Sequence, residues 1–158
     1  MSTRPLRGAA LALALSLAGA SCSHLVVLHD PLTAAEHNDL GVAYEKSGDR
    51  RLAECQYRAA LRRDRRLVRA RVNLGNLRAA ESQWASAERE YRRALGVRAG
   101  DPDALNNLAY ALLRRGRRLG EAEALAVAAV RASGARDSIY RVTLNEIRSA
   151  RSRGSSDP

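Results

Sequence analysis

The chain has 158 residues, which suits one small domain and leaves no room for a second large core beside it. Aromatics are few, phenylalanine is absent, and alanine, leucine and arginine dominate, a helix-forming composition. The formal charge is +10, yet Lys46 is the sole lysine. Arginine use that uniform fits a GC-rich genome better than selection for phosphate contacts, so charge alone does not indicate a nucleic-acid binder.

The chain opens on what reads as an export signal, residues 1–21. Arg4 and Arg7 form a positive start, and Gly8 to Ala20 is an apolar stretch too short for an ordinary transmembrane helix. Two processing sites compete. Ala18-Gly19-Ala20 has the small-x-small pattern of signal peptidase and would release a chain beginning at Ser21. Leu17 to Cys22 instead resembles a bacterial lipobox, with Gly19 where that motif usually carries leucine; lipid on Cys22 would make the protein a lipoprotein. Loss of the signal leaves a balance of about +8. An exported chain can form disulfides, but a lipidated Cys22 would be unavailable to Cys55, which would then be a free thiol, read as a small buried apolar residue.

Residues 22–33 form a tether with a short apolar run, Leu25 to Leu28. Thr33 with Glu36 three positions on makes a capping box that starts the first helix, running to about Ser47. Gly48-Asp49 turns the chain, and Arg50 to about Arg63 returns with Ala53, Tyr57, Ala60 and Leu61 at helical spacing. A second pair comes next, near Leu67 to Glu81 and near Gln83 to Val97. Asp101 as N-cap with Pro102 in the first helical position opens a third pair, which runs to about Arg136. A last helix, from Asp137 or Ser138 to about residue 150, carries Ile139, Tyr140, Val142, Leu144 and Ile147. A polar, disordered tail is expected over 151–158.

These elements repeat. Leu40, Leu74 and Leu108 stand 34 residues apart, followed by Gly41, Gly75 and Ala109 and preceded by Asp39, Asn73 and Asn107. Ala53 and Ala87, Tyr57 and Tyr91, and Ala60 and Ala94 keep the same interval. One residue inserted within Gly116 to Gly120 brings Ala122-Glu123 into line with Ala87-Glu88 and Ala53-Glu54. A fixed period of this size implies stacked two-helix units that cannot bury their faces alone, an α-solenoid whose work is binding. Its last unit would expose an apolar face, so the final helix reads as a cap.

The pattern resembles the tetratricopeptide repeat, with a Leu-Gly pair and an aromatic in the first helix, then Ala, an aromatic and Ala in the second. The first repeat matches with Leu40, Gly41, Tyr44, Ala53, Tyr57 and Ala60. The second matches with Leu74, Gly75, Trp84, Ala87, Tyr91 and Ala94, but Arg78 replaces the first-helix aromatic. The third keeps Leu108, Ala109, Gly116, Ala122 and Ala129, with Leu112 and Ala126 for the aromatics. The resemblance implies an all-α fold of three repeats, 34–67, 68–101 and 102–136, closed by a cap over 137–150. It also implies that the first helices line a concave peptide groove, through Asn38, Val42, Glu45, Arg69, Asn73, Asn76, Asp103, Asn106, Asn107 and Tyr110. An asparagine amide both donates and accepts, which suits holding an extended peptide backbone; equally, it could satisfy buried groups between repeats. Asn76 and Asn106 are expected in the groove, and Asn73 and Asn107 in the structural role. The basic clamp with which some family members hold a partner's terminal carboxylate is missing, because Asn38, Val42, Asp103 and Asn107 occupy its places.

Other chemistry finds little purchase. His24, His29 and His37 with Asp30 have no fixed spacing on one element, so no metal or cofactor is expected. No phosphate loop, nucleophile elbow or HExxH sequence occurs. The run Arg62-Arg63-Asp64-Arg65-Arg66 lies at a helix end and reads as solvated surface, not a nucleic-acid site. The sequence therefore predicts a non-catalytic interaction scaffold that resembles small bacterial lipoproteins of this repeat family. Its expected place is the periplasmic face of the outer membrane, which Ser23 after the cysteine would favour under one sorting rule. A soluble periplasmic scaffold and a binder of an anionic envelope polymer remain as alternatives.

Overall fold

The computed structural model describes residues 30–133 and 138–154. The leader, Cys22, His24, His29 and Asp137 lie outside them. Every regular element among the described residues is a helix: α1 Ala34–Lys46, α2 Arg50–Arg63, α3 Val68–Ala80, α4 Trp84–Val97, α5 Pro102–Arg114, α6 Leu119–Ala132 and α7 Ser138–Gly154. Three antiparallel pairs (α1/α2, α3/α4, α5/α6) stack in chain order, and α7 packs on α5 and α6.

Local chemistry sets the boundaries. Thr33 caps α1 reciprocally: its amide donates to the Glu36 carboxylate at 2.7 Å, and its hydroxyl oxygen accepts from the Glu36 amide at 3.2 Å. The Thr33 backbone and hydroxyl bonds hold the Glu36 carboxyl below its usual range. Asp49 and Asp101 cap α2 and α5 by accepting from the amides three residues on, and Pro102 begins α5. The turns inside the three pairs keep register as well: Gly48, Ser82 and Gly116 all take positive φ. The third turn adds Arg118, also at positive φ, which is where the inserted residue is absorbed.

Within each pair the fit is a matter of volume. A methyl group on Gly41 would overlap the Tyr57 ring, and one on Gly75 would overlap the Tyr91 ring. Both tyrosines are almost wholly buried, so the absent side chain is what lets the helices meet. In the third pair the partners change together: Ala109 stands in the glycine position and Ala126 in the tyrosine position, both fully buried. Each tyrosine hydroxyl finds an acceptor on its first helix, Tyr57 on Glu45 at 2.7 Å and Tyr91 on Asn76 at 2.9 Å. Burial, reinforced by Glu45 for Tyr57, pushes both phenols well above their usual range.

One carboxylate per repeat ties each pair to its successor in the chain. Glu54 on α2 accepts from Arg78 of α3, and Glu88 on α4 accepts from Arg115, just beyond α5. Glu123 on α6 accepts from Arg148 and Arg151 of α7. These three glutamates are the in-register residues after Ala53, Ala87 and Ala122. Arg78 therefore has a positive use where the family pattern has an aromatic. Glu88 is pushed up by burial, but its bonds to Arg92 and Arg115 outweigh that and hold it below the carboxylate norm.

The cap differs from expectation in two ways. Its buried stripe is Tyr140, Thr143, Leu144 and Ile147, whereas Ile139 and Val142 are 65% and 55% exposed. Spacing of i, i+3, i+4 and i+7 defines one helical face, and 139 and 142 fall outside it. The helix also runs past residue 150 to Gly154, because Arg151, expected in the tail, joins Glu123. The largest core cluster lies in the second and third repeats and includes Leu144 and Ile147 of α7.

Candidate functional site

The first helices α1, α3 and α5 lie side by side, with short contacts from α1 to α3 and from α3 to α5. They bring the ten expected groove residues onto neighbouring elements. What those residues do there is mostly hold one another. Asn73 donates its amide to Asn38 at 2.9 Å, and Asn38 donates in turn to Asp39 at 3.1 Å. One repeat on, Asn107 donates to Asn76 at 2.8 Å and Asn106 donates to Asn107 at 3.3 Å. The asparagines form a ladder between first helices, the structural role expected of Asn73 and Asn107.

Three of the expected contact residues therefore need correction. Asn76 is not free in the groove, because its carbonyl oxygen accepts from both Tyr91 and Asn107. Asn106 is only 5% exposed, and its carbonyl oxygen is buried without a donor. Tyr110 is not an open platform: its ring meets Trp84 edge-on, with centroids 5.8 Å apart, and Arg114 donates to its hydroxyl. Arg114 also lies 4.7 Å above the Trp84 ring, completing a cation–aromatic cluster at the α4–α5 contact.

Of the remainder, Asn38 is buried, Val42 packs against the first-repeat core, and Glu45 is engaged by Tyr57. Arg69 and Asp103 keep exposed surface. Arg69 stands 4.0 Å from Asp39, and Asp103 accepts from Tyr140 of the cap at 2.6 Å. Arg69, Asn73 and Asp103 meet at a hollow of about 460 Å³ where α3 and α5 begin. Its wall sets the apolar Leu67, Val68 and Val72 among charges of both signs, Asp64, Arg66, Arg98 and Asp101 besides Arg69 and Asp103, so it is a mostly polar hollow with a small apolar floor. Three of the ten expected groove residues thus border open space here.

The cysteine and histidine positions also resolve. Cys55 on α2 is disulfide-bonded and half-buried, not the free, buried thiol expected. His37 is buried and donates from Nδ1 to Gln56 at 2.7 Å, tying α1 to α2. Among the described residues no three His, Cys, Asp or Glu side chains come together as a metal site. Arg62, Arg63, Arg65 and Arg66 are exposed at the end of α2 and the turn beyond it.

Solved structures with the same arrangement are tetratricopeptide-repeat domains. The first such domain of human RPAP3 superposes with a TM-score of 0.72 at 19% identity, over 81% of this chain and all of that one. The Sgt2 domain from Aspergillus fumigatus gives 0.70 at 17% identity, covering 79% and 85% of the two chains. The Yersinia enterocolitica type III secretion chaperone SycD, in complex with a peptide of the translocator YopD, gives 0.66 at 20%, covering 76% and 93%. No family model and no curated protein matches the chain. The fold of this chain is thus a tetratricopeptide-repeat solenoid of three repeats and a cap.

Proposed function

We propose that this chain is a non-catalytic interaction scaffold of the bacterial cell envelope, which holds an extended peptide segment of a partner protein along its first helices. The hollow at Arg69, Asn73 and Asp103 carries the reading. Its apolar floor can take a small side chain, while Arg69 and Asp103 at the rim can meet charges or backbone groups of either polarity. SycD, of like fold, is solved with a translocator peptide, and the first domain of Spaghetti (RPAP3) with an HSP90 peptide. This chain lacks the basic clamp for a terminal carboxylate, so the partner would present an internal segment.

Export is supported by the leader sequence. Lipid on Cys22 would anchor the mature chain to a membrane, whereas cleavage after Ala20 would release a soluble periplasmic scaffold beginning at Ser21. Intact mass of the mature protein separates the two, since a lipid on Cys22 adds mass that release of an unmodified chain beginning at Ser21 does not.

The groove is tested by capture from envelope extract with Arg69→Ala/Asp103→Ala. This variant should keep its helicity and bind its partner about tenfold more weakly, from two lost interface contacts. Arg62→Ala/Arg63→Ala should bind as the parent does. The opposite ranking would promote an anionic envelope polymer as the ligand.

A further inference from the structure

The second helices α2 and α4 stand apart across α3, leaving a cleft of about 570 Å³. Arg58, Arg71, Arg78, Arg89 and Arg93 line it, with Glu90 as the one carboxylate in the wall. Repetition supplies an internal control. One period later, Arg71 becomes Leu105, Arg78 becomes Leu112, and, with the inserted residue counted, Arg89, Glu90 and Arg93 become Ala124, Leu125 and Ala128. There Leu105 and Leu112 are buried, and Leu95, Leu125 and Ala128 close on the core around Leu105. Arg58 alone is kept, as Arg92, which pairs with Glu88 and Glu121; at the other positions the fold fills this junction with hydrocarbon and does not require arginine.

The arginines are not fully neutralised by their neighbours. Glu54 serves Arg58 and Arg78, Glu81 adds to Arg78, and Glu90 serves Arg71 and Arg93. Among the described residues, Arg89 bonds to the Ala85 carbonyl and the Ser86 hydroxyl of its own helix and to no carboxylate. Five guanidinium groups thus meet three carboxylates, a surplus of two positive charges. Arg71 and Arg78 are held at 17% side-chain exposure, which costs solvation that a freely solvated surface charge keeps. Gln83 and Ser86 add neutral hydrogen-bonding groups to the wall.

We infer that the cleft between α2 and α4 binds a phosphomonoester through Arg58, Arg89 and Arg93, with Arg71 and Arg78 as its charged floor. A phosphomonoester carries about −1.5 to −2 charge on one compact group with three acceptor oxygens, matching the surplus. A single carboxylate would leave part of it uncompensated. Guanidinium forks suit phosphate oxygens in paired contacts. The cleft and the peptide hollow both touch α3 but share no lining residue, so the site stands or falls separately from the scaffold reading.

The test uses the mature full-length chain and two sources of the group. Glucose 6-phosphate is titrated calorimetrically against glucose, and phosphatidylcholine vesicles containing phosphatidic acid are co-sedimented against vesicles containing the phosphodiester phosphatidylglycerol. Binding of the sugar phosphate alone assigns a soluble ligand, and binding of phosphatidic acid alone assigns a headgroup. Arg89→Gln/Arg93→Gln should weaken whichever binds by about tenfold. Arg117→Gln/Arg131→Gln, an equal charge loss on the third repeat, should change it less than about twofold. Both pairs are exposed, and circular dichroism checks that each variant keeps its helices. Absence of binding in both arms, no preference over the phosphodiester, or equal losses in the two double variants would overturn the site.

Discussion

The two inter-repeat junctions use the same backbone and opposite chemistry. Between the second and third repeats, Leu105, Leu112 and Leu125 exclude water. Between the first and second, the same positions carry Arg71, Arg78 and Glu90 around an open cleft. In both, a second-helix glutamate ties its pair to the next repeat, through Arg78 in one and Arg115 in the other. The stacking geometry thus tolerates either filling, provided that the pair-internal fit and the glutamate tie persist. Stability in such a solenoid is the sum of repeats and interfaces, so the dry junction should carry more of it.

That asymmetry predicts the largest effect at Leu112, which is 1% exposed. Leu112→Ala should cost about 3 kcal/mol in chemical denaturation, from lost burial plus the cavity left behind. Arg78→Met, at the equivalent position, breaks the tie to Glu54 but leaves that carboxylate with Arg58 and puts hydrocarbon in the cleft, so it should cost less, about 1 kcal/mol. Equal costs at both positions would mean that the two junctions are energetically alike.

The pair-internal fit gives the next effect. Gly75→Leu puts side-chain atoms where the buried Tyr91 ring lies and should cost about 2 kcal/mol or more. The loss should appear as a lower denaturation midpoint with the slope unchanged. A wild-type midpoint would mean that Tyr91 has another place to go.

The fold was legible because its determinants repeat: the Leu-Gly pairs, the facing tyrosines and the capping residues recur at one interval, and each has one local consequence. The site was less so. Whether an asparagine faces a groove or a neighbour depends on partners about a period away, such as Asn73 with Asn38 and Asn107 with Asn76. Local spacing does not show those partners. The arginine cleft was hidden by the general excess of arginine, although comparing residue classes at equivalent positions, Arg71 with Leu105 and Arg78 with Leu112, would have isolated it. Ile139 and Val142 are as apolar as the cap's buried residues, and only helical phase separates them from the face of Tyr140, Thr143, Leu144 and Ile147.

A smaller effect separates the glutamate tie from the apolar filling. Glu88 has a depressed pKa through Arg92 and Arg115, so its contribution is present above the unfolded value, about 4.3, and fades as pH falls through the folded one. Glu88→Gln should therefore cost about 1 kcal/mol at pH 7. The gap between variant and parent should narrow as pH falls below the unfolded value and close once pH has passed the folded one. A gap that is independent of pH would show that packing around Glu88, not its charge, is what the substitution disturbs.

The smallest predicted effect is a gain, and it lies in the turn between α3 and α4. Gly48, Ser82 and Gly116 occupy equivalent turns at φ of 86°, 58° and 60°. Only the second of these carries a side chain. A left-handed backbone brings Cβ against the following carbonyl in an L-residue, at a cost that glycine escapes and that outweighs glycine's greater freedom in the unfolded chain. Ser82 is exposed, and its backbone amide already donates to the Ala79 carbonyl at 2.9 Å, a bond that glycine keeps. Ser82→Gly should stabilise the protein by about 0.5–1 kcal/mol. The gain should be seen as a melting temperature a few degrees higher, with circular dichroism and phosphomonoester binding unchanged. The reverse change, Gly48→Ser, should lose a similar amount. If Ser82→Gly lowered the melting point instead, chain entropy would outweigh strain in this turn, and the second repeat would owe its turn to something other than the geometry that the first and third share.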